Sequence, residues 1–185
     1  LPSGFNPSFF GMSSSDLLRL NSNEVLRLDN TILSPFGTNP IHMRIVGRWT
    51  ITFGSTIVVQ AGPSNALLRI YVQSVTAGDS IYILYQPTSG SAELTIPYVL
   101  DTRFVLDIVI RSDGGSGSTL EAYLNGLAYT DTGTGTYAGL GSGASGIGLE
   151  ARTDGAADPE YGVIRLRQGT ITQADHDAAV TEAGI

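Results

Sequence analysis

One stretch, Arg103 to Tyr129 (RFVLDIVIRSDGGSGSTLEAYLNGLAY), constrains the fold more tightly than any other. Phe104, Leu106, Ile108 and Ile110 alternate with Val105, Asp107, Val109 and Arg111. Side chains of an extended chain point to opposite faces in turn, so this period-two run predicts a strand with one buried face. The following SDGGSGS is too rich in glycine to continue it. A second strand over Thr119 to Leu124 puts Leu120, Ala122 and Leu124 on one side. Asn125-Gly126 then supplies the two positive φ angles that a type I′ hairpin turn requires. Leu127 to Tyr129 returns as a third strand. The result is an antiparallel meander, and its apolar face must be buried against a second layer.

The rest of the chain repeats that pattern. Leu18 and Leu20 alternate with Arg19, and Leu26 and Leu28 with Arg27; two strands turning through Asn21-Ser22-Asn23 form a predicted hairpin. Ile41 to Phe53 is the longest strand candidate, with Ile41, Met43, Ile45, Trp49, Ile51 and Phe53 on one parity. Gly47 is expected to mark a bulge or bend within it. Shorter strands are expected over Ile57–Gln60, Leu67–Gln73, Ser80–Gln86, Glu93–Ile96, Ile147–Arg152 and Gly162–Arg167. The Gly/Ser-rich run Gly133 to Gly146 and the acidic TDGAADPEY segment read as loops. The end differs in kind. Thr172 with Asp175 resembles a capping box, and Gln173 to Ala183 reads as a helix closed by Gly184.

The chain has 185 residues, enough for one domain with a real core, and 23 of them are glycine. Residues 1–12 (LPSGFNPSFFGM) are too broken by proline and glycine for a regular element. They are too aromatic for a free tail, so they read as an arm packed on residues 13–185 or on a neighbouring subunit. There is no cysteine, which removes disulfides, thiol chemistry and cysteine metal sites. No apolar run approaches the ~20 residues of a transmembrane helix. The net charge of −7 argues against general nucleic-acid binding. All ten basic residues are arginine, so every cation is a planar fork suited to carboxylate or sulfate.

With about a dozen strands and one terminal helix, the chain resembles the concanavalin A-like (laminin-G-like) jelly roll. The residues that carry the likeness are the strand Phe104 to Arg111, LEAYLNGLAY with its Tyr123-x-Asn125-Gly126 turn, and Val163 to Leu166 followed by TITQADHDAA. It spans Leu17 to Ala183. The resemblance implies an all-β fold, an antiparallel two-sheet β-sandwich with one short C-terminal helix. That superfamily holds lectins, carbohydrate-binding modules, glycoside hydrolases, polysaccharide lyases and phage virion domains, and the fold alone does not choose among them.

Hydrolases on this fold carry a Glu-x-Asp-x-Glu strand that faces two acids across a sugar, and no such string occurs. Glu121 stands alone, and Asp158 and Glu160 flank Pro159, which argues for a loop. A lyase needs a His or Tyr base and a group to neutralise the uronate. His42, Arg44 and Arg48 share one strand face, with Tyr71 and Tyr82 as possible additions, but the Gln that precedes such a His in resembling lyases is replaced by Pro40. His176, between Asp175 and Asp177, reads as part of an exposed helical face. Asp154, Asp158 and Glu160 are candidate calcium ligands, as is Asp113 beside Gly114-Gly115.

The outward parity collects His42, Arg44 and Arg48; Arg69, Tyr71 and Gln73; and Arg165 and Arg167. If their strands share a sheet, they form a cationic face for an acidic glycan; otherwise the arginines pair with acids such as Asp107 and Glu121. The expected function is a non-enzymatic glycan-binding or structural module on an extracellular or phage virion surface. Its expected partners are a glycan and, as a homo-oligomer, further copies or virion proteins, with no nucleic acid and no membrane insertion. A polysaccharide lyase is the alternative.

Overall fold

The computed structural model describes residues 8–9, 18–20, 25–27, 37–62, 66–87, 89–140, 150–152 and 157–185. Thirteen strands and one helix lie among them. The strands are β1 (Ser8–Phe9), β2 (Leu18–Arg19), β3 (Val25–Arg27), β4 (Ile41–Ile51), β5 (Gly54–Ala61), β6 (Ala66–Val75), β7 (Gly78–Pro87), β8 (Ala92–Pro97), β9 (Arg103–Ser112), β10 (Ser118–Leu124), β11 (Leu127–Gly133), β12 (Glu150–Arg152) and β13 (Ala157–Gln168); α1 is Gln173–Ala183. The first sheet runs β1-β13-β4-β9-β10-β11, with β2 also on β13; the second runs β3-β12-β5-β6-β7-β8. The fold is the expected antiparallel β-sandwich with a short C-terminal helix.

The alternation read from the sequence sets the inner faces. Ile41, Met43, Ile45, Trp49 and Ile51 of β4 meet Leu68, Ile70 and Val72 of β6 across the sandwich, all buried. Trp49 sits edge-on to Phe104 at 4.5 Å and near Tyr161 at 6.1 Å. Such packing favours tilted rings because ring edges and faces carry opposite charge. The Asn125-Gly126 turn joins β10 to β11 with φ of 47° and 89°. Where the edges of the two sheets approach, Gly133 lies so close to the Ser91 carbonyl that a Cβ would sit 2.1 Å from it, so only glycine fits.

Several local expectations are corrected. The LLRL and VLRL segments are not a hairpin: β2 pairs with β13 in the first sheet, and β3 with β12 in the second. The bulge opposite Gly47 is on β13, where the register slips between Tyr161 and Val163. Gly47 itself serves close approach, since a Cβ there would lie 2.6 Å from the Glu160 carbonyl oxygen. Asp158 and Glu160 lie on β13 rather than in a loop. Pro159 is tolerated inside that strand because its carbonyl accepts from the Leu20 N–H at 3.2 Å. Its nitrogen therefore faces the short β2 side, and the missing N–H removes nothing from the ladder to β4.

β9 is buried on both faces, where one had been expected. The cause is α1, which lies on the outer face of the first sheet. Val46, Val105, Ala179 and Ala183 form a second small core there. The helix begins with the expected capping box, Thr172 and Asp175 each bonding the other's backbone N–H, and ends at Gly184 with φ 70°.

Candidate functional site

The eight candidate ligand-binding residues fall on two sheets, so the single cationic face does not form. His42, Arg44 and Arg48 lie on β4, and Arg165 and Arg167 on β13, all in the first sheet. Arg69, Tyr71 and Gln73 lie on β6 in the second. Outward-facing residues of the two sheets point away from one another across the sandwich.

On the first sheet the cationic residues surround Asp107, which is 0% exposed. Its carboxylate meets His42 Nε2 at 2.5 Å and His176 Nδ1 at 2.7 Å. Arg44 grips it with Nε at 2.8 Å and Nη2 at 3.0 Å. The other nitrogen of each ring fixes its tautomer. Arg167 Nε donates to His42 Nδ1 at 2.7 Å, and the Gly126 N–H donates to His176 Nε2 at 3.0 Å. Arginine and a backbone N–H can only donate, so those ring nitrogens must be bare and the partner nitrogens must carry the protons given to Asp107. Burial pushes the His42 pKa down, more than its hydrogen bond to Asp107 raises it. Burial by itself would raise the Asp107 pKa, but the bonds from His176, His42 and Arg44 outweigh it and hold the carboxyl well below the usual range.

This network docks α1 and leaves no room for a substrate at His42, which is 1% exposed with both ring nitrogens engaged. His176 is buried, not exposed as expected. Its neighbours Asp175 and Asp177 suggested a solvated face, but His176, Ala179 and Ala183 form one stripe at helical spacing, and that stripe faces the sheet. Arg48 pairs with Glu160 at 2.7 Å, and Arg19 pairs with Asp158. Two of the candidate calcium ligands are thus engaged by arginine; Asp154 lies outside the described residues. Among the described residues no three of His, Cys, Asp and Glu gather as a metal set. Arg165 is half-buried, and its Nε has no hydrogen-bond partner among the described residues.

The outer face of the second sheet is different in kind. Among the described elements none lies over it; α1 packs only on the first sheet. Cross-strand register sets its rows: Ser55, Gln73, Ser80 and Pro97; Ile57, Tyr71, Tyr82 and Thr95; Gln60, Arg69, Leu84 and Glu93. Tyr71 and Tyr82 stand beside each other with ring centroids 5.5 Å apart, tilted by 43° and half-buried. The Tyr82 hydroxyl donates to Glu93 Oε2 at 2.7 Å, and Ser91 donates to Oε1 at 2.8 Å. Partial burial and the Glu93 bond push the Tyr82 pKa up to about 12, so this hydroxyl stays protonated and is no base. Ser80 Oγ donates to Gln73 Oε1 at 3.2 Å, and Gln73 Nε2 donates to Ser55 Oγ at 3.1 Å, which fixes the amide's orientation. Arg69 Nε reaches only the Gln60 side-chain oxygen, at 3.4 Å, among the described residues.

At one end of this face, beside the β6–β7 turn, an open hollow of about 370 Å³ is lined by Gln73, Val75, Asp79, Ser80, Thr95 and Pro97, with Ala77 and Gly78. Sequence reasoning found Arg69, Tyr71 and Gln73 here, and named Tyr82 only as a possible addition to the His42 face. It missed Ser80, Glu93 and Thr95, because their place beside the tyrosines follows from cross-strand register and not from local pattern.

No protein-family model and no curated protein matches this sequence. Solved structures do match the fold. The CBM40 of the Ruminococcus gnavus IT-sialidase, bound to α2,3-sialyllactose, has a TM-score of 0.65 and 8% identity over 90% of this chain and 97% of its own. A structure of botulinum neurotoxin type C, whose cell entry is described as dependent upon interaction with two ganglioside molecules, has a TM-score of 0.65 and 9% identity over 91% of this chain and 45% of its own. The botulinum neurotoxin serotype G binding domain has a TM-score of 0.59 and 9% identity over 97% of this chain and 47% of its own. The chain thus spans under half the length of these toxin chains and nearly all of CBM40. At these identities the likeness is one of fold.

Proposed function

We propose that this chain is a non-enzymatic glycan-binding module that works outside the cell and binds through the open outer face of the second sheet. The observation that carries the reading is the Tyr71–Tyr82 pair, half-buried on a sheet face that no described element covers and bordered by Gln60, Arg69, Gln73 and Glu93. Tyrosine rings give the C–H face of a sugar an apolar floor, and the fixed amides and carboxylate around them bond its hydroxyls. The fold shared with CBM40 along nearly its whole length supports the reading, as does the fold shared with botulinum neurotoxin type C, whose cell entry is described as dependent upon interaction with two ganglioside molecules. The lyase alternative loses its base: His42 is enclosed beneath α1, and the tyrosines that might have joined it stand on the opposite sheet.

Glycan-array binding of the wild-type chain beside a Tyr71→Ala/Tyr82→Ala variant tests this. Truncating a central aromatic in a binding face costs more than ~1 kcal/mol, so the variant should lose at least about fivefold in affinity. Binding that survives both substitutions unchanged would place the site elsewhere. The narrower setting, a homo-oligomeric receptor-binding or decoration protein on a phage virion, rests on the jelly-roll resemblance and the aromatic arm. A gene neighbourhood of capsid and tail proteins, with a solution mass above that of a monomer, tests that part.

A further inference from the structure

We infer that the ligand of this face is an uncharged oligosaccharide of at least two rings, one seated in the hollow beside the β6–β7 turn and the next on the Tyr71–Tyr82 pair. The inference rests on the glycan-binding reading above and reverses the expectation of an acidic ligand.

Charge decides the first half. The arginines that suggested an acidic glycan divide between the sheets, and on β5 to β8 only Arg69 remains. Arg69 and Gln73 are four residues apart on one strand, so their rows are separated by roughly 13 Å. That exceeds the ~8 Å screening length at physiological salt. Among the described residues no cation lines the hollow. The carboxylate on this face is that of Glu93, held beside the aromatic pair by Tyr82 and Ser91. A uronate or sialate seated in the hollow would find no cation among its described lining residues.

Hydrogen-bonding capacity decides the same way. A sugar hydroxyl both donates and accepts. Ser80, Gln73 and Ser55 form a chain whose geometry is set, yet Gln73 keeps one N–H and Ser55 keeps its own hydroxyl proton for a ligand. Val75, Ala77 and Pro97 give the same hollow an apolar wall. This mixture of a few placed polar groups with apolar lining is the usual make-up of a small-ligand site.

Adjacency decides the number of rings. Gln73 lies two residues from Tyr71 on β6, and Ser80 two residues from Tyr82 on β7, so hollow and aromatic pair are neighbouring rows roughly 7 Å apart. A single ring cannot fill the hollow and also cover both tyrosines.

Calorimetric titration of the wild-type chain with lactose, cellotriose and maltotriose, and with α2,3-sialyllactose and trigalacturonate, tests the inference. Each is run at about 0.01 M and about 1 M NaCl, which shortens the screening length from about 30 to about 3 Å. At least one neutral sugar should bind with a Kd that hardly moves with salt, and the acidic sugars should bind at least about tenfold more weakly at low salt, where Glu93 is least screened. Glu93→Gln should narrow that gap. Gln73→Ala should weaken a neutral trisaccharide by about tenfold while affecting its monosaccharide less. Salt-sensitive binding of an acidic sugar, tighter than its neutral parent and lost with Arg69→Ala, would overturn the inference and leave the glycan-binding function standing. Binding of no sugar at all would overturn both.

Discussion

Replacing Asp107 by alanine should destabilise this protein more than any other single carboxylate substitution on the first sheet. The carboxylate is 0% exposed and is bonded by His42, His176 and, twice, by Arg44. Asp107→Ala leaves a guanidinium whose side chain is only 15% exposed without its counter-ion, and two buried ring N–H groups without acceptors. Removing one partner of a buried pair costs about 3–5 kcal/mol, because the other charge stays desolvated. In a domain of this size each kcal/mol moves the melting temperature by about 2–4 °C, so a drop of roughly 6–20 °C is expected. The control is Glu121→Ala, which breaks an ion pair with Arg111, a side chain 39% exposed. Exposed pairs are worth about 1 kcal/mol or less, so that variant should melt within a few degrees of wild type. Scanning calorimetry on the three proteins separates the cases, and amide exchange over residues 173–183 reports whether α1 has come away. Equal melting temperatures for the two variants would refute the reasoning, since the buried carboxylate would then contribute no more than a surface one.

The same network predicts acid sensitivity. His42 and Asp107 both have folded pKa values below their free ones, so the unfolded chain binds more protons and stability rises with pH. The His42 contribution is whole above about pH 6.5 and is lost as pH falls through its lower folded value; Asp107 begins to add to the loss only below about pH 3.9. The melting temperature should therefore fall between pH 7 and pH 5, and a flat profile would contradict the burial of His42. Gly47→Ala should cost about 1–3 kcal/mol by overpacking, because the new Cβ would sit 2.6 Å from the Glu160 carbonyl oxygen and 3.2 Å from Phe104 Cζ; urea unfolding measures it. Calcium added to chelator-treated protein should leave the melting temperature unchanged, since Asp158 and Glu160 already face Arg19 and Arg48. A rise that Asp158→Asn abolishes would instead assign a calcium site there.

What the sequence alone determined is everything that depends on near neighbours along the chain. Alternation in Ile41–Ile51 and Arg103–Ser112 set which side chains of each strand turn inward, because an extended backbone alternates whatever it pairs with. Asn125-Gly126 set a turn, and Thr172, Asp175 and Gly184 set both ends of the helix, because positive φ and orphan N–H groups are local demands. Only the tertiary structure decided which sheet each strand joins and what covers each face. Periodicity carries no information on strand partners, so LLRL and VLRL looked like a hairpin and went to opposite sheets. Arg44 and Arg69 likewise looked like members of one face and lie on opposite sides of the sandwich. Asp107 shared a parity with Arg111, yet one is sealed under α1 and the other reaches solvent, because the helix covers only part of that sheet. The candidate glycan face was legible as separate outward residues, Arg69, Tyr71 and Gln73. It became a site only when cross-strand register set Tyr71 beside Tyr82 and brought Ser80, Thr95 and Glu93 to their sides.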